Sequence, residues 1–122
     1  MGSFWAKQEQ EPQASQAKPA KRAQVLIIGD IAVGKTSLIK CFVSQNTQRT
    51  GNTRATIGCE IHERELQLGD ERLKITVLDV AGDLNMQNLV AQYARTASLV
   101  IMAYAINNHD SFSNLDEWLD SL

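Results

Sequence analysis

What the chain has little of narrows its class before any motif is read. It holds only two cysteines, Cys41 and Cys59, without a CxxC partner and with no apolar leader segment ahead of them. Reduced thiols packed as small apolar groups, in an intracellular, cytoplasmic protein, are the expectation. Long apolar runs are missing too: the longest, Leu99 to Ala103, falls far short of the ~20 residues that cross a bilayer. Positive charge is not in surplus, since 12 Lys and Arg stand against 14 Asp and Glu for a formal net charge of −2. That balance argues against a nucleic-acid partner, because nothing is left over to neutralise a phosphate backbone. The two histidines, His62 and His109, read as solvated strand and loop positions, as neither stands beside a second ligand-type cluster. With 122 residues and 43% hydrophobic content, the chain can bury one core and not two.

Residues Met1 to Arg22 are rich in Gln, Ala, Pro and Lys and carry neither helical nor strand periodicity. Such a composition buries too little to order itself, and a flexible polar tail is expected over 1–22. Gly2 follows the initiator Met, but Ala6 stands where a myristoylation signal wants Ser or Thr. Lipidation at Gly2 is therefore not expected, and any membrane association is expected not to be encoded in this chain.

What is present is concentrated in Gly29-Asp30-Ile31-Ala32-Val33-Gly34-Lys35-Thr36, which satisfies G-x-x-x-x-G-K-[ST] directly after the apolar run Val25 to Ile28. The pattern is strand, phosphate loop, helix. Glycines allow successive backbone N–H groups to turn on phosphate oxygens, and the helix N-terminus adds partial positive charge. Lys35 would reach the terminal phosphates, and the Thr36 hydroxyl is a hard oxygen donor suited to Mg²⁺.

Around this loop the periodicities predict a strand over Ala23 to Ile28 and a helix over Lys35 to Val43. A polar loop over Gln45 to Ala55 follows, then a hairpin of Glu60 to Leu68 and Arg72 to Leu78 about Gly69-Asp70. Next come a helix over Met86 to Ala97, a buried strand over Leu99 to Ile106, and a last helix. Asp110 or Ser111 would cap that helix, with Leu115, Trp118, Leu119 and Leu122 as its inward stripe. Such a β-α-ββ-α-β-α order brings the loops after Ile28 and Leu78 together at the carboxyl ends of the strands. Asp79 then comes within reach of a metal at Thr36, and Val80-Ala81-Gly82-Asp83 lies beside the terminal phosphate.

The sequence resembles the Ras superfamily of small GTPases, closest to the Rab branch, between Val25 and Leu119. The resemblance rests on GDIAVGKTSL, on TIG at Thr56-Ile57-Gly58, on LDVAG at Leu78 to Gly82 and on SFSNLDEW at Ser111 to Trp118. It implies an α/β phosphate-loop NTPase (small G-protein) fold: a mostly parallel sheet in three layers, with residues 23–122 as the N-terminal portion of the domain and its C-terminal part missing. It implies GTP/GDP and Mg²⁺ as cofactors. Gly29, Asp30, Ile31, Ala32, Val33, Gly34, Lys35, Thr36 and Ser37 would hold the phosphates, with Thr56 and Gly82 closing on the last of them. Thr36, Thr56 and Asp79 would serve the metal, and Gly82 and Asp83 would take the catalytic positions. Effector and regulator proteins would tell the two nucleotide states apart.

The chain also departs from the family's pattern. Asp83 stands where the family has a water-orienting glutamine, Ile31 replaces a small loop residue, and no aromatic occurs between Phe42 and Tyr93 to flank a base. Ile61 and Leu78 replace surface aromatics of the Rab branch and are acceptable as core residues. The chain ends at Leu122, before the places where guanine would be read. A Rab-like switch in membrane traffic or signalling with slow hydrolysis is the first expectation, and a degenerate interaction protein without a nucleotide cycle is the second. An ATP-using phosphate-loop enzyme ranks third, because the TIG and DVAG spacings follow the GTPase pattern.

Overall fold

The computed structural model describes residues 18–44 and 58–122. The chain from 1 to 17, most of the expected tail, lies outside them, as do the expected loop Gln45 to Ala55 and Thr56. Four strands form one mixed sheet in the order β2-β3-β1-β4, with β1 Lys21–Ile28, β2 Cys59–Leu68, β3 Glu71–Val80 and β4 Leu99–Met102. β1 runs parallel to β3, with Ile27 opposite Asp79, and parallel to β4, with Ile28 opposite Met102. β2 returns antiparallel on β3 through Gly69-Asp70, where Gly69 takes φ 61°. The expected hairpin is thus present, with β3 reaching two residues further than Leu78.

Strand β1 begins two residues ahead of the expected Ala23, because Lys21 and Arg22 continue the ladder opposite Leu73 and Lys74. The buried run of β1 explains the layers. Leu26 and Ile28 point to one side, where they meet Leu78, Val80, Val90 and Trp118, while Ile27 points to the other, against Ile39 and Val77. Alternation along a strand produces this division, and each face needs its own helical cover. Helix α1, Lys35–Ser44, covers the Ile27 side with Ile39, Phe42 and Val43. The Leu26 side is covered by α2, Gln87–Ala94, through Val90, and by α4, Leu115–Asp120, through Trp118.

The second half of the chain departs from expectation in several places. β4 stops at Met102 rather than Ile106, because its partner β1 ends at Ile28 and turns into the phosphate loop. One further ladder bond, Ala103 N–H to the Ile28 carbonyl at 2.8 Å, ends the pairing. The helix expected from Met86 is preceded by a 3-10 turn over Leu84–Met86 and ends at Ala94. The last helix is two: α3, His109–Ser113, and α4. Asn108, not Asp110 or Ser111, caps α3, its side chain accepting the Ser111 N–H. Ser111 is fully buried and its hydroxyl instead holds the preceding turn, bonded to the Ala105 N–H at 3.0 Å and the Asn108 carbonyl at 2.7 Å.

Of the expected inward stripe only Trp118 is fully buried; Leu119 and Leu122 are about half exposed, at 51% and 46%. Leu119 lies beside Met102 at the β4 edge, where the described sheet ends. Ile61, acceptable as a core residue, is 63% exposed, whereas Leu78 is buried. His109 opens α3 instead of sitting in a loop.

Candidate functional site

The loop between β1 and α1 is built from backbone conformations that few residues adopt. Gly29 has φ 145° and Gly34 φ 101°, and Ala32, without glycine's freedom, stands at φ 62°. At Gly29 a Cβ would fall 2.2 Å from the Ala103 carbonyl oxygen, so the end of β4 rests directly on the start of the loop. At Gly34 nothing lies within 4 Å of such a Cβ, and the loop is open on that side. Positive-φ residues interspersed with ordinary ones turn successive amides inward, as in the concave nests that take an anion.

Lys35, the first residue of α1, is buried, with its ammonium donating to the carbonyls of Gly29 and Asp30, each at 2.7 Å. Burial lowers its pKa below the ordinary 10.5, more than the neighbouring Asp79 and Asp30 raise it. The Thr36 hydroxyl donates to Asp79 Oδ2, joining α1 to the end of β3. Asp79 is fully buried. These two side chains offer hard oxygens at the mouth of an anion nest, a donor set that fits Mg²⁺ shared with phosphate. Lys35, Thr36 and Asp79 are therefore brought together as their spacing suggested; Ser37 follows on α1, and Thr56 is outside the described residues.

Gly82 is needed for a reason the sequence did not disclose. A Cβ there would lie 2.3 Å from the Ile31 nitrogen and 2.4 Å from the Asp30 carbonyl carbon. The close approach is made by the phosphate loop's own backbone. Asp83 is exposed, and its carboxylate accepts the Asn85 N–H at 3.0 Å as cap of the 3-10 turn. Ile31 lies 56% exposed on the loop.

Two contacts were not legible in the spacing. Both carboxylate oxygens of Asp30 are engaged from the other end of the chain, by Asn114 Nδ2 at 2.7 Å and by Trp118 Nε1 at 2.8 Å. The residues are 84 and 88 positions apart, and no periodic signal links them. His62, expected to be solvated, has a side chain only 17% exposed with Nε2 3.5 Å from Glu60. One ligand atom each from Glu60, His62 and Asp79 lies within 4.8 Å of the others, because Glu60 is opposite Asp79 in the β2-β3 ladder.

A mixed sheet whose parallel strands carry a G-x-x-x-x-G-K-[ST] loop at their carboxyl end, with the lysine turned into the loop and the threonine on a strand-end aspartate, defines a phosphate-loop protein of small G-protein type. The Ras family model matches residues 24–122, and the chain belongs to that family. It is similar to the GTP-binding protein YPTC5 of Chlamydomonas reinhardtii, 33% identical over 84% of this chain and 49% of the relative. It is also similar to the Ypt/Rab-type GTPase avaA of Emericella nidulans, 36% identical over 80% of this chain and 46% of the relative. The Ras-related protein RABC2a of Arabidopsis thaliana is 35% identical over 78% of this chain and 44% of its own length. The chain spans about half the length of these relatives.

Proposed function

We propose that this chain binds GTP and GDP with Mg²⁺ as a Rab-like switch that hydrolyses slowly and is read by effector and regulator proteins in membrane traffic or signalling. The observation that carries this is the buried Lys35 ammonium inside the loop, beside the Thr36–Asp79 pair, in a member of the Ras family. Lys35 would exchange loop carbonyls for terminal phosphate oxygens; Gly29 to Ser37 would line the phosphates; Thr36, Asp79 and Thr56 would hold Mg²⁺. When bound, the ion supplies charge neutralisation to the phosphates. Gly82 brings the segment after β3 onto the same loop, so a terminal phosphate would hold both stretches and its loss would release them. The guanine preference is inherited from the family. Among the described residues no helix is long and apolar enough to cross a membrane; a cytoplasmic place for the chain belongs to the same proposal.

Slow hydrolysis follows from Asp83 and Ile31. Phosphoryl transfer relies on positioning and charge stabilisation, and a carboxylate cannot donate an N–H to the phosphate as glutamine does. Asp83 is moreover occupied with its own turn. The β-branched Ile31 adds bulk at the loop surface where a partner's arginine would approach. Single-turnover hydrolysis should accelerate by about tenfold or more in the Asp83→Gln, Ile31→Gly double variant, with less in either single variant. A parent as fast as the double variant would overturn the claim of slow hydrolysis. A second reading, an interaction protein without a nucleotide cycle, is favoured by the same two residues; absence of GDP or GTP from the purified protein together with failed titration would select it.

A further inference from the structure

The Asp30–Ile31 peptide is where three separate parts of the chain converge. Lys35 of α1 takes the Asp30 carbonyl, Gly82 after β3 packs on the peptide backbone, and Asn114 and Trp118 take the Asp30 carboxylate. Trp118 is fully buried among Leu26, Ile28, Leu78, Val80 and Val90, so its indole N–H is held in one place by the core itself. We propose that Asn114 and Trp118 are positioning residues for the phosphate loop, and that their grip on Asp30 sets how long a bound nucleotide stays.

Three considerations support this assignment, which rests on the nucleotide-binding function proposed above. Hydrogen bonds to an ionised acceptor are the strong ones, and here two neutral donors share one carboxylate, fixing its plane as well as its position. Lys35 is the loop's other holder, and it is the group that phosphate oxygens would recruit. Once Lys35 turns to them, the carboxylate clamp remains to keep the Asp30 backbone in place. Finally, the clamp draws a negative charge toward the α4 side of the sheet, whereas Lys35 and the Thr36–Asp79 pair sit with α1 on the other. A released Asp30 carboxylate would be free to approach the phosphates and repel them.

Asn114 gives the cleanest test, since its side chain makes no capping bond to α4 and its replacement leaves the core packing intact. Trp118→Phe removes the indole N–H while keeping an aromatic in the core. Release of a fluorescent GDP analogue at millimolar Mg²⁺ should be about tenfold faster in Asn114→Ala and in Trp118→Phe, the scale of one lost hydrogen bond to a charged group. In an Asp30→Ala background neither substitution should accelerate release further. In protein stripped of nucleotide, amide exchange over Gly29 to Gly34 should rise in both variants while that over Lys21 to Gln24 stays at the parent's rate. Release rates within twofold of the parent, or effects that persist without Asp30, would overturn the proposal. If the parent binds no nucleotide, the functional reading falls, and unchanged loop exchange in both variants would separately refute the positioning role.

Discussion

Lys35 has to be charged to meet phosphates, yet the fold keeps it buried against two carbonyls, and the consequence is visible in pH. Burial makes the folded chain hold that proton less tightly than the unfolded chain, whose lysine stays near 10.5. Between the lowered folded value and 10.5 the unfolded state binds more protons, so stability rises with pH across that window. Urea unfolding without nucleotide should show the parent gaining stability relative to Lys35→Met as pH is raised toward 10.5. A difference that stays flat would mean that Asp79 and Asp30 offset the effect of burial on Lys35. Single residues were unevenly legible in the sequence. Lys35, Thr36 and Asp79 declared themselves because their motif spacing mirrors a local geometry. Asp30 carried no such signal, since its partners Asn114 and Trp118 come from the other end of the chain, and Gly82, expected beside the terminal phosphate, packs against the neighbouring loop backbone.

Elements followed the sequence where one periodic pattern dominated and failed where a partner decided their length. The β2-β3 hairpin and α1 form near their expected bounds, because alternation and helical spacing in those stretches have no competing reading. β4 was written as eight apolar residues but pairs over only four, its length set by where β1 turns away at Gly29. The remainder, Ala103 to Ile106, is spent on a turn that the Ser111 hydroxyl ties to the start of α3. This tie should be energetically distinct. Ser111→Ala leaves the half-buried Ala105 N–H without its 3.0 Å partner, and a loss of about 1 kcal/mol is expected in chemical denaturation. A loss under 0.5 kcal/mol, the scale of an ordinary surface change, would show that water replaces the hydroxyl there.

At the scale of the whole molecule, the described sheet ends in two edges of different character. At one, β2 carries charged residues, with Glu65 paired to Arg72 and Glu63 to Lys74 of β3. On the other side β4 has no second neighbour among the described residues, and it exposes Leu99, Ile101 and Met102 beside Tyr104, Phe112 and Leu119. An apolar edge with free ladder positions pairs with other chains unless a charge blunts it. The chain as given should therefore self-associate at micromolar concentration in sedimentation velocity, and Leu99→Lys should shift it toward monomer. A parent that stays monomeric throughout would show the edge to be protected. The central claim, that Lys35, Thr36 and Asp79 form a Mg²⁺-dependent guanine-nucleotide site, is tested most directly by calorimetric titration. GDP, GTP and ATP are each added at millimolar Mg²⁺ to the parent and to Lys35→Ala. The expected result is Mg²⁺-dependent binding of nucleotide to the parent, weakened by about 100-fold or more in the variant, equivalent to about 2.7 kcal/mol. Equal affinities in parent and variant, or no binding to either, would contradict it.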